Sequence, residues 1–116
     1  NSLKYGVSLN IAGGTHHAFS NRAEAFCILN DQAIAANFLI HNKFCRRILI
    51  LDLDVHQGDG TASICENIDN IFTCSIHCKN NFPFDKKNSN LDVPIDDEVD
   101  DCGPVRPRVQ RARTKE

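Results

Sequence analysis

The sequence predicts an α/β protein built on a parallel sheet. Apolar strand-like runs alternate with segments of helical character in the order strand, helix, strand, helix, strand. The central run, "RRILILDLDV", is continuously apolar rather than alternating, as in strands buried on both faces. Carboxylates and histidines cluster just after the apolar runs, where parallel sheets hold their ligands.

The first run, in "VSLNIAGGTHHAF", reads as a short strand over residues 7–11, broken by Gly13-Gly14 and followed at once by His16 and His17. "NDQAIAANFLIHN" reads as a helix capped by Asn30 or Asp31, with Ile34, Phe38 and Leu39 on one face. Its Ala-rich character suits packing on a sheet. "ILIL" at 48–51 is the buried strand, "GTASICENI" a short helix and "NIFTCSIH" the next strand. "LDVPI" reads as a short edge strand, because Pro94 removes a ladder donor. These strands are too few to close a sandwiched layer, so the fold is expected to be incomplete. Residues 1–98 then form a partial domain, and 99–116 a divergent, disordered basic tail.

At 116 residues, 41% hydrophobic and 24% charged, the chain has the composition of a soluble globular protein. No apolar run approaches bilayer length and the amino end does not resemble a signal peptide, so no membrane association is expected. The chain contains no Met, which suggests a piece of a longer protein. Residues 1–105 carry eight Lys and Arg against fourteen Asp and Glu, net −6; residues 106–116 carry five against one, net +4. A basic tail can mark nucleic-acid binding. This one has no interleaved aromatics and reads as a solvated end, so no direct nucleic-acid contact is expected. The six cysteines (27, 45, 65, 74, 78 and 102) show no C-x-x-C pair and read as reduced thiols in a cytoplasmic protein.

The chemistry concentrates in "DLDVHQGDGT", residues 52–61. Asp54 and His56 stand two residues apart at a strand end, so carboxylate and imidazole can converge on one ion. Oxygen plus nitrogen suits a borderline divalent metal such as zinc. Asp52 lies deeper and needs a partner, which the His16-His17 pair can supply. Asp59 can orient another histidine, fixing its tautomer and raising its basicity. Alone, an Asp-x-Asp is often a turn device and a His-His pair a loop feature. Their joint occurrence after separate strands argues for a site.

"GGTHHAF", "FCILNDQAIAA", "DLDVHQGDGT", "SIH" and "NFPF", in this order, resemble the histone deacetylase family of the arginase/deacetylase superfamily. Gln57 in place of a second His is similar to the bacterial and class IV members. The resemblance implies part of a three-layer αβα parallel-sheet fold and a zinc-dependent hydrolase acting on acetyl-lysine or a small acetylated amine. Asp54 and His56 would be two of three zinc ligands. His17 would be the general base, oriented by Asp59, and His16 with Asp52 the electrostatic or acid partner. Phe26 and Phe82 would wall the substrate channel, unless they are ordinary core residues. A structural potassium ion would use Asp52, Ser75 and backbone oxygens of Asp54, His56 and Ile76, unless Ser75 is simply a buried strand serine.

The departures are equally specific. Neither the family's third ligand, an Asp, nor its transition-state Tyr is supplied after Asp59; the only tyrosine is Tyr5. Ala25 stands where the family usually has Gly before Phe26. Gly58 replaces the carboxylate that bridges two manganese ions in arginase-type enzymes, which favours one zinc over two metals. The chain alone is therefore expected to be inactive. A non-catalytic remnant or binding module is the alternative, and an arginase-like two-metal hydrolase a more distant one.

Overall fold

The structure, a computed structural model, describes residues 2–11 and 13–96. In chain order it contains α1 (Ser2–Tyr5), α2 (Asp31–His41), β1 (Ile48–Asp52), α3 (Asp59–Cys65), β2 (Ile71–Cys78) and β3 (Leu91–Ile95). The strands form one parallel sheet of order β1-β2-β3, with Ile48 opposite Ile71 and Cys74 opposite Leu91. The α/β parallel sheet is thus the architecture, in incomplete form. Residues 97–116, with the end of the acidic run, Cys102 and the basic tail, lie outside the described residues.

Each element has a local cause. Asn30 caps α2, its side chain accepting from the Ala33 N–H at 3.0 Å. The helix rests on the sheet through Ala33, Ala36 and Ile40, while Ile34 and Phe38 face outward. The face that carries Ile34 and Phe38 is therefore the outward one, and the alanines make the contact with the sheet. Alanines allow close approach to the strands, and that closeness decides the face. Ile48 and Ile50 of β1, Ile71 of β2, and Ile64 and Cys65 of α3 complete this core, with Ile68 just beyond α3.

Two further expectations fail. Residues 7–10 form no strand, and Val7, Leu9 and Ile11 are exposed. And β1 is buried on one face only. Ile50 is buried, whereas Leu49, Leu51 and Leu53 point away from the helices into the open. Among the described residues one helical layer covers the sheet.

Cys27, Cys45, Cys65 and Cys74 are free thiols, as expected of reduced cysteines. Cys78 is disulfide-bonded, so the all-reduced reading fails there, and with it the cysteine argument for a cytoplasmic setting. Among the described residues no helix is long and apolar enough to cross a membrane.

Candidate metal centre and its histidine pair

Beyond the carboxyl end of β1 the chain opens a cavity of about 570 Å³, lined among others by His16, His17, Phe26, Asp54, His56 and Phe82. Two His–Asp dyads form its floor. His16 Nδ1–H donates to Asp52 Oδ2 at 2.5 Å, and His17 Nδ1–H donates to Asp59 Oδ1 at 2.6 Å. All four side chains are buried. Each carboxylate fixes the tautomer of its histidine and leaves Nε2 for the cavity side. The rings lie 4.1 Å apart between centroids.

The electrostatics single out His16. Burial works against its charged form, but the hydrogen bond and charge of Asp52, with Asp54 and Asp59 behind it, outweigh that penalty and hold its pKa above the ordinary value. His16 therefore carries a proton more readily than a free imidazole.

Asp54 and His56 follow where the strand has ended. Asp54 accepts from the His56 backbone N–H at 2.8 Å, and its Oδ1 lies 3.1 Å from His56 Nδ1. Donors around a tetrahedral zinc stand about 3.3 Å apart, for bonds near 2.0–2.1 Å. The pair thus fits zinc in kind and approximate spacing. Among the described residues no third His, Cys, Asp or Glu completes a metal-binding group with them. The fit is short by one ligand.

Glycine geometry shapes this floor. A Cβ on Gly58 would collide with Asp52 Oδ2 and crowd the His16 ring, so a carboxylate there would displace the first dyad. A Cβ on Gly60 would run into the backbone of His17 and Ala18. The loop's closeness to the histidine pair is what excludes side chains at both positions.

Phe82 packs edge-on against His17 at 5.0 Å and His56 at 5.9 Å between centroids, making one wall of the cavity. Phe26 sits at the rim, fully exposed, on a two-residue turn closed by the Glu24–Cys27 bridge. Ala25 and Phe26 both have positive φ, +45° and +66°. The channel pair is therefore one packed wall and one exposed rim residue, not two core phenylalanines.

Asp52 and Ser75 are in-register neighbours and line a cavity of about 10 Å³, room for a single water-sized sphere. Asp54 and Ile76 line a different one, and Ser75 Oγ is hydrogen-bonded with His77 Nδ1 at 3.0 Å. His77 is buried, and burial pushes its pKa below the ordinary value.

Sequence reasoning missed what holds the histidine pair in place. The sequence marks Asp31 only as a candidate cap. Its carboxylate accepts from the N–H groups of Gly14 and Thr15 and from the Thr15 hydroxyl at 2.7 Å. Burial opposes its charge, but these hydrogen bonds prevail and lower its pKa. Asn30, while capping α2, donates to the Ala18 carbonyl at 3.1 Å and to Thr61 Oγ1 at 3.0 Å, and Thr61 N–H donates to the His16 carbonyl. Gln57, fully buried, donates to the Lys87 carbonyl and Asp92 and accepts from Lys87 N–H. No periodicity reveals such contacts. The only signal was the density of short polar residues around Asn30 and Thr61.

Known proteins resemble the chain in sequence and in fold. The chain is 50% identical over 102 residues to an uncharacterised protein of Picosynechococcus, covering 88% of this chain and 34% of that one. It is 37% identical over 112 residues to histone deacetylase clr6 of Schizosaccharomyces pombe, covering 87% of this chain and 27% of the other. The crystal structure of a histone deacetylase homologue from Aquifex aeolicus superposes with a TM-score of 0.62 at 33% identity, covering 72% of this chain and 26% of that chain. The chain thus spans between a quarter and about a third of these relatives. The histone deacetylase domain family matches residues 1–102, and the chain belongs to that family, within the arginase/deacetylase superfamily.

Proposed function

We propose that this chain is a segment of a zinc-dependent deacetylase that hydrolyses acetyl-lysine or a small acetylated amine. The observation that carries the reading is the pair of buried His–Asp dyads beside Asp54 and His56 in one cavity. Asp54 and His56 would hold zinc, which when bound polarises a carbonyl and acidifies water. His17, oriented by Asp59, accepts the proton of the attacking water. His16, whose protonated form Asp52 favours, would offer positive charge and a proton near the developing negative charge. Phe82 flanks the acyl chain and Phe26 the rim. Asp52 and Ser75, with backbone oxygens of Asp54, His56 and Ile76, would hold potassium.

With two zinc ligands among the described residues and Tyr5 as the sequence's one tyrosine, the chain alone is inactive on this reading. Tyr5 is exposed on α1. The two-ligand centre also favours a second reading, a non-catalytic remnant of the same fold, whereas crowding at Gly58 disfavours an arginase-like two-metal site.

A chimera decides between them. Residues 1–96 replace the matching part of the Picosynechococcus relative, and hydrolysis of an acetyl-lysine peptide is measured with and without a chelator. Chelator-sensitive hydrolysis abolished by His17→Ala is the expected result. A folded chimera that binds zinc but leaves the peptide intact supports the remnant reading.

A further inference from the structure

We propose that Lys86 is a positioning residue, which sets the aromatic wall of the cavity by gripping the backbone on either side of Phe82. Its ammonium donates to the Asn81 carbonyl at 2.6 Å and to the Pro83 carbonyl at 2.5 Å. One charged group thus holds the chain just before and just after the wall residue. Residues 81–87 belong to no helix or strand, and Pro83 has no N–H with which to close a turn. An ammonium, with several N–H donors on one atom, supplies from a side chain what the backbone lacks there. Its charge makes each bond stronger than a neutral one, and Lys86 is half-buried, which strengthens both further.

The rest of the loop is fixed toward the metal centre. The Phe82 N–H donates to Asn81 Oδ1 at 2.8 Å. Gln57, the residue after His56, pairs with both backbone groups of Lys87, at 2.7 and 2.9 Å, and with Asp92 at 2.8 Å. Phe82 therefore sits in a segment clamped by Lys86 and anchored to the loop that carries His56. The result is its edge-on contact with His17 and His56, to which Phe84 adds an edge contact at 6.4 Å between centroids. Lys87 shows that a lysine in this segment has another course open to it. Its ammonium pairs with Asp85 at 2.6 Å on the surface, where an ion pair contributes little. The grip of Lys86 on the wall follows from these bonds alone. Its part in hydrolysis, holding the wall of the acyl channel at one distance from His17, rests on the deacetylase reading above.

Spectra and kinetics test the two parts separately. In this chain the imidazole C–H resonances of His17 and His56 sense the Phe82 ring, and amide hydrogen exchange reports the fold. Lys86→Met keeps the apolar stem and removes the donors. It should move both resonances toward their positions in Phe82→Leu, while residues 48–52 and 71–78 keep their protection. Lys86→Arg, which can also donate to two carbonyls, should restore the parent spectrum, and Lys87→Met should not depart from it. In the chimera of residues 1–96, Lys86→Met should raise KM for the acetyl-lysine peptide roughly tenfold with kcat within about twofold, and Lys86→Arg should reverse most of that rise. A chimera inactive with every variant supports the remnant reading and leaves the spectra to decide the clamp. Unmoved His17 and His56 resonances in Lys86→Met, no rescue by arginine, protection lost across the strands, or an unchanged KM in an active chimera would each overturn the positioning role.

Discussion

Ala25 occupies a backbone conformation that glycine adopts freely and alanine does not, with φ +45°. Ala25→Gly should therefore raise stability, by at most about 1 kcal/mol because the unfolded chain also gains freedom; urea unfolding measures it. Gly60 presents the opposite case. A methyl there meets the backbone of His17 and Ala18, so Gly60→Ala should cost about 2 kcal/mol or more and disturb the His17–Asp59 dyad. Asp31 sets an acid limit. Its carboxyl titrates below its ordinary 3.8 in the folded chain, so the folded state binds fewer protons than the unfolded state as pH falls. Its contribution is complete above the unfolded value and disappears as pH falls through the folded value. Asp31→Asn should lose roughly 1 kcal/mol at neutral pH and converge with the parent at the acid end, as followed by unfolding at several pH values.

At the scale of elements, α2 ties the sheet to the site. Asn30 satisfies both the start of the helix and the backbone beyond the histidine pair, so Asn30→Ala removes a cap and leaves the Ala18 carbonyl short of a buried donor. A loss of about 2–3 kcal/mol in thermal or urea unfolding is expected, more than a cap alone supplies. The cap, the strands β1 and β2, the edge strand with Pro94 and the short helix α3 were legible in the sequence, because each rests on local pattern. The outward face of α2 was not, since Ile34 and Phe38 are more hydrophobic than the alanines that make the contact. Nor was the loss of the strand at 7–11, which depends on whether a neighbour exists to pair with it. Among the site residues, the two dyads were legible as a motif. The clamps from Asp31, Asn30 and Gln57 were not, because they join residues distant in sequence through single hydrogen bonds.

At the scale of the whole molecule, among the described residues the sheet is covered on one face and the metal centre is one ligand short, two signs of the same incompleteness. Zinc titrated into the purified chain should bind weakly, without a stoichiometric endpoint at micromolar protein, and His56→Ala should remove what binding there is. A sharp one-to-one endpoint would mean that a third donor exists outside the described residues.

The dyads join partners 36 and 42 residues apart in the chain. Closing loops of that size is repaid only when the sheet and both helices are already in place. The imidazole N–H protons of His16 and His17 therefore act as a witness to assembly. Their carboxylate-bound resonances should appear together, late in refolding, and vanish together as soon as β1 or α3 loosens. A spectroscopist can thus read the integrity of β1, α3 and the histidine pair from two protons.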